Sequence, residues 1–477
     1  MGGSVTPVPD IVSPEGAQSV EAAGAAPAKR PRSAVSAGVG IVGLIGLFTY
    51  LLAARHAPAI AGWLGIDWGQ RGPMSGPSSA IVSVLACGLP MVLWSVFVDK
   101  VHRNPSTGID WSLRRPWRET IDISLTKLAG LWTTWALIAG FYLTMRYYWE
   151  GSYAFSMDLL ERVAPWLLLV SIPYMLWLDR RMVEPRDGCY QFGRWLTAPR
   201  NRNGGRPVDG RAIAHHFRAW AVKGFFTAFM LSIVPGNFAA LVSVPMNDVL
   251  ANPYMISLWT INLLYLVDVH IATVGYILTM KPLDSHIRTA NPYFMSWIAA
   301  LVCYPPFVMM DGGPLDYRVN GADWGYWLQG HDHLMMLWGA VLVALVAVYA
   351  WATMAFGIRF SNLTHRGVLT HGPYRLTRHP AYVSKNLSWW VGSMPFLVTA
   401  GGWAEGLRNT LLLAAVSGIY YWRAKTEEKH LLADPAYVAY WNWAQGNALV
   451  PRLFAKLGGR DRPLIRLEPD PRVGPVA

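Results

Sequence analysis

Two stretches near the end of the chain concentrate side chains able to do chemistry. HGPYRLTRHPAYVSKN, residues 371 to 386, sets two histidines, two arginines, a lysine and two tyrosines between long apolar runs. RAKTEEKH, residues 423 to 430, puts Arg423 four positions before Glu427, with Glu428 next to it. On a helix Arg423 and Glu427 share a face, and Glu428 is turned away by about 100°. Read singly, the first stretch is a basic edge of a membrane protein and the second an exposed Arg–Glu pair on a solvated helix end, in the less favoured order. Read together they mean more. Adjacent carboxylates at a membrane surface need cationic neighbours, and Arg375, Arg378 and His379 supply them.

The surrounding elements have to bring these stretches into contact. The 477 residues are 53% hydrophobic and 15% charged, well below the roughly 25% charged of soluble domains, so the chain reads as an all-α polytopic membrane protein. Apolar runs lie at 37–55, 79–98, 125–145, 164–178, 219–245, 254–280, 293–310, 334–356, 387–400 and 405–422. Most reach the roughly 20 residues that cross about 30 Å of hydrocarbon, giving about ten transmembrane helices, with 387–400 the shortest. Lys and Arg cluster in alternate loops, after the second, fourth, sixth, eighth and tenth runs, whereas Asp311, Asp316, Asp323 and Asp332 fall between the seventh and eighth. The positive-inside rule then puts both termini and residues 371–386 on the cytoplasmic face. It also accounts for the formal charge of +12, leaving no support for nucleic-acid binding. The runs on either side of Gly401-Gly402 form a hairpin that returns the chain to the same face, so 359–386 and 423–452 should meet.

Four regions follow from this pattern: a disordered cytoplasmic tail over 1–36, N-terminal helices over 37–330, a C-terminal unit over 331–455 and a short cytoplasmic tail over 456–477. The first apolar run starts too late for a cleavable signal peptide. The myristoylation pattern at the N-terminus adds little to a chain with so many spans. Asn-Arg-Asn-Gly-Gly-Arg-Pro, within the polar stretch 180–218, signals turns rather than a packed domain. Cys87, Cys189 and Cys303 have no paired spacing and indicate neither a disulfide framework nor a cysteine metal site. His331 and His333 flank Asp332 with no further ligand near, so no metal site is expected. Asp268 and His270 fall inside the sixth run, where ionisable groups are costly and mark function. About 200° apart, they cannot share a face. Asp268 instead extends a stripe through Asn262 and Tyr265, which either lines a polar cavity or bonds a neighbouring helix.

The meeting place itself suits a particular ligand chemistry. Gly372-Pro373 and His379-Pro380 favour turns. Tyr374, Tyr382, Trp389, Trp390, Tyr420 and Tyr421 offer faces to a cation or an aromatic base, and carboxylates can hold ribose hydroxyls or an ammonium. A cationic nucleoside such as S-adenosylmethionine fits these groups. A nicotinamide dinucleotide asks for more phosphate contacts than the turns provide, though the arginines keep it open.

The order L-x-x-G-P-Y-x-x-x-R-H-P-x-Y, then R-x-x-x-E-E-x-x-L, then Y-x-x-Y and a closing Pro resembles the isoprenylcysteine carboxyl methyltransferase and phospholipid methyltransferase group of integral membrane enzymes. The resemblance covers about residues 359–453. It implies that Tyr374, His379, Tyr382 and Glu428 contact S-adenosylmethionine, with the backbone near Leu369 at its adenine. Arg423 and Glu427 would face the methyl acceptor, Glu427 orienting Arg423, and a lipophilic substrate would enter from the bilayer among membrane lipids. Two positions depart from the family's pattern: Ser384, where the family commonly has Gly, and the region of Asp434, which lacks a Gly. The resemblance does not reach 37–330, which would form an additional substrate chamber or partner surface. Membrane sterol or enone reductases that use NADPH resemble the same C-terminal part, and a non-catalytic scaffold or transporter keeping the fold is the reading from outside enzymology.

Overall fold

The computed structural model describes residues 29–197 and 208–457. Among these the regular elements are helical apart from two-residue strands β1 (Thr289–Ala290) and β2 (Thr364–His365), which pair antiparallel. The first nine helices are α1 (Ala37–Arg55), α2 (Ala57–Trp63), α3 (Pro77–Leu93), α4 (Trp117–Thr144), α5 (Tyr153–Asp179), α6 (Gly188–Thr197), α7 (Gly210–Val242), α8 (Met246–Val249) and α9 (Pro253–Ile277). They are followed by α10 (Phe294–Leu301), α11 (Trp324–Trp327), α12 (Asp332–Phe356), α13 (Pro380–Ser393), α14 (Gly402–Leu431), α15 (Pro435–Asn447) and α16 (Leu449–Lys456). Their starts follow local chemistry. Asn252 accepts from the Met255 N–H with Pro253 in the first turn of α9, and Asp434 accepts from the Ala436 N–H with Pro435 opening α15; these are side-chain caps with a proline placed where no donor is needed.

Among the described residues six helices are long and apolar enough to cross a membrane: α1, α3 with its extension to Val98, α5, α7, α9 and α12 with its extension to Arg359. The fold is therefore that of an all-α multi-pass membrane protein. Helices α4 and α14, of 28 and 30 residues, match them in length but carry more polar residues. Two apolar runs behave differently from the expectation of continuous spans. The run 293–310 yields only the eight residues of α10, because Pro305 and Pro306 follow Cys303 and Tyr304 and cannot extend a hydrogen-bonded helix. The run 387–400 contributes the end of α13, whose 14 residues stop where Met394 takes a left-handed conformation before Pro395. That helix starts at Pro380, so Tyr382 and Lys385 stand on its first turns rather than in a loop.

Helices α9 and α12 run parallel. Tyr254 bonds Asp323 at one end, Asp268 bonds Tyr349 and Thr353 midway, and Gly275 O accepts from Arg366 at the other. The chain between them must therefore travel back along the bundle, and it does so through α10 and the irregular segment after it. That return passes beside α14, from Tyr304 near Arg423 to Val319 near Asn409. Irregular backbone at such depth is tolerated where protein buries it or where it lines a cavity.

The largest core joins Val39, Leu47, Val84, Phe238, Leu266 and Val274 to Ala355, Leu369, Tyr374, Tyr440 and Trp441. Residues on both sides of position 330 thus share one core. The expected disorder of 1–36 does not extend to its end. Ala34 N–H donates to Val368 O, Thr370 Oγ1 to Pro31 O, and Ser33 Oγ bonds His371 Nδ1 at 2.8 Å. This strap exists because residues 368–371 present backbone and side-chain groups that residues 31–34 satisfy. Residues 1–28, the Asn-Arg-Asn-Gly-Gly-Arg-Pro run and the tail from 458 lie outside the described residues.

Candidate functional site

The two stretches do meet. His379 immediately precedes α13, and its Nε2 lies 3.0 Å from Glu428 Oε1 on α14. Arg378 Nε is 3.1 Å from the same oxygen, and Lys425 Nζ is 2.7 Å from Oε2. Glu428 is buried with three basic side chains around it and sits past the apolar part of α14. Burial opposes its charge, but the hydrogen bond and charge of His379, then Arg378 and Lys425, win and hold its carboxyl down at about 2. Arg375, expected as a further neighbour, is exposed and forms no ion pair with Glu428. Arg378 packs its guanidinium 4.7 Å from the Trp441 ring, and its Nη1 is buried without a hydrogen-bond partner. A buried donor left in that state is costly and offers itself to a bound ligand.

Arg423 and Glu427 are not paired as their spacing predicts. Glu427 Oε2 accepts from Tyr382 Oη at 2.8 Å, while Arg423 Nη2 donates to Asn362 Oδ1 at 2.6 Å and, weakly, to Tyr304 Oη at 3.4 Å. The helix does put both on one face, but α13 and the segment after α12 supply closer partners. Buried Arg423 lies 5.3 to 5.8 Å from the ring centres of Tyr382, Tyr304 and Tyr420. Its fourth side is fixed from below: Asn362 donates to both Tyr276 Oη and Tyr304 Oη, so its amide oxygen must face Arg423. Neither Asn362 nor Tyr304 stands out in the sequence. Tyr304 follows α10 on the returning segment, directly before the prolines that break the helix.

The other expected cofactor residues have mixed placements. Tyr382 stacks on His379 at 5.7 Å, bridging the Glu428 group to the Arg423 cage. Tyr374 is buried against Phe356, and its carbonyl accepts from Tyr440 Oη. Leu369 is a core residue beneath the strap. Ser384, where glycine was expected, is buried and bonds the Pro380 carbonyl on its own helix, so it adds no group to the site.

The intramembrane candidates separate cleanly. His270 is buried and satisfied by Ser83 Oγ at 2.6 Å and the Leu266 carbonyl, a structural role. Asp268 accepts from Tyr349 Oη at 2.7 Å and Thr353 Oγ1 at 2.5 Å on α12. Asp268 thus bonds a neighbouring helix, and it is partly exposed, as are Tyr265 and Tyr349 beside it. Asn262, further along, lines a separate groove of about 450 Å³ with Ser232 and Asn237. His331 and His333 are exposed, and no cluster able to hold a metal occurs among the described residues. All three cysteines are free thiols.

Compared with protein-family models, with curated proteins and with solved structures, the chain matches none. The functional reading rests on the chemistry of these residues.

Proposed function

We propose that the protein transfers a methyl group from S-adenosylmethionine to a lipophilic acceptor, a carboxylate being the group that the site suits best. The observation that carries this reading is the adjacency, through Tyr382, of the buried Glu428 carboxylate with its ring of basic groups and a buried cation, Arg423, in an aromatic cage. The residues present fit the cofactor. The unpartnered Nη1 of Arg378 suits its carboxylate, Glu428 suits its hydroxyls or ammonium, and Tyr382 and Trp441 offer ring faces. When bound, it supplies an electrophilic methyl on a positive sulfur.

Arg423 would draw the acceptor carboxylate out of water and hold it in line, the main requirement of this reaction, since a carboxylate needs no base. An oxygen–methyl bond forms as the sulfur–methyl bond breaks, leaving a methyl ester and a neutral thioether. Glu427, engaged by Tyr382, would position that ring rather than Arg423. The chain before position 330, through Tyr276 and Tyr304, would close the acceptor side. In this reading the chain makes ten passes, two of them the broken ones through α10 and α13, with both termini and the cofactor pocket on the cytoplasmic face.

Isothermal titration with S-adenosylhomocysteine and, separately, with NADPH tests the proposal. Binding of the first that falls at least tenfold in Glu428→Ala and His379→Ala supports it; binding of NADPH alone, or S-adenosylhomocysteine binding indifferent to both substitutions, refutes it.

A further inference from the structure

Resting on that reading, we infer that the acceptor is a hydroxylated lipid acid whose hydroxyl is read by Asp268 and Lys385 while its carboxylate lies at Arg423. A continuous line of side chains joins the two ends. Tyr349 bonds Asp268. The Lys385 ammonium lies 4.9 Å from the Tyr349 ring and 5.4 Å from the Trp389 ring. Trp389 packs edge-on against Tyr420 at 5.1 Å, and Tyr420 forms one wall of the Arg423 cage.

The charges assign the ends. Among the described residues no carboxylate lies within ion-pair distance of Arg423, which hydrogen-bonds only neutral Asn362 and Tyr304. A buried lone cation calls for an anion. At the other end the Lys385 ammonium and the Asp268 carboxyl both stand against Tyr349, so the cation there has an acidic group beside it, as Arg423 does not. What they leave open are hydrogen-bonding positions. Asp268 has accepted one donor on each oxygen and has capacity for more, whereas the three Lys385 donors hydrogen-bond none of the described residues. A hydroxyl, which donates and accepts at once, completes both without adding charge.

The test is equilibrium dialysis of the purified full chain in detergent, saturated with S-adenosylhomocysteine, against radiolabelled fatty acids of one length. One acid is unsubstituted and the others carry a single hydroxyl at successive positions. One hydroxy isomer is expected to bind roughly tenfold more tightly than the unsubstituted acid, the weight of one hydrogen bond to a charged group. Asp268→Asn and Lys385→Met should each erase that advantage while binding of the unsubstituted acid stays within about twofold, as for loss of a single contact. Equal binding of all isomers, no binding of any, or an advantage that both variants keep would overturn the inference. Failure of S-adenosylhomocysteine to bind, with the hydroxy preference intact, would remove the cofactor reading and leave this site standing.

Discussion

Arg366 and Arg423 are both buried in the C-terminal part of the bundle, and they are held in opposite ways. Arg366 donates to the carbonyls of Ser285, Gly275, Phe360, Leu278 and Ile358. It ties the end of α9 to the segment after α12, where Gly275 leaves no room for a side chain because a Cβ would stand 2.5 Å from Phe360 O. Arg423 has hydrogen bonds from Nη2 alone and three tyrosine faces. Five oxygens fully occupy a guanidinium's donors; two neutral partners do not. The first arginine is finished by the fold, and the second is left for something the fold does not contain.

That contrast can be broken by substitution. Arg366→Met should strip several buried carbonyls of their donor and cost more than about 3 kcal/mol, read as loss of monodisperse protein in fluorescence-detected size exclusion. Arg423→Met should leave the folded fraction nearly unchanged and lower methyl transfer about 100-fold or more, as for removal of one preorganised charge at a reacting group. Equal destabilisation by both would erase the distinction. Glu428→Gln is expected to weaken S-adenosylhomocysteine binding about tenfold, the loss of one charged partner, measured by titration calorimetry.

Acid sharpens the same point. Glu428 has its folded carboxyl lowered from 4.5 to about 2, so its charge stabilises the fold above the unfolded value, and that stabilisation, roughly 3 kcal/mol, is lost as pH falls from about 4.5 towards 2. Thermal unfolding of Glu428→Gln should lack this part of the acid dependence. The smallest expected effect is in the strap: Ser33→Ala removes one bond to His371 and should cost about 1 kcal/mol in the same assay.

The sequence makes the charge partnership across the hairpin readable, because Glu428 and the Arg378–His379 pair are each anomalous alone and complementary together. It misleads at Arg423. Spacing along one helix places Glu427 beside it, but the partners that win, Asn362 and Tyr304, lie 61 and 119 residues away, and no periodicity reaches that far. Hydropathy likewise locates the run 293–310 without revealing that it is broken; Pro305-Pro306 carries that signal, and the break is what delivers Tyr304 to the cage. The strap over 31–34 leaves no trace in composition, since its partners lie more than 330 residues away and include backbone groups that every residue carries.

The central claim is that Arg423 serves methyl transfer rather than the fold. Membranes containing either the wild type or Arg423→Met, at matched folded protein, would be incubated with S-adenosylmethionine labelled on its methyl group, and base-labile label extracted into the lipid phase counted. The account predicts wild-type label released as methanol by mild base and a loss of about 100-fold in the variant. Equal labelling by both, or no lipid label above membranes lacking the protein, would contradict it.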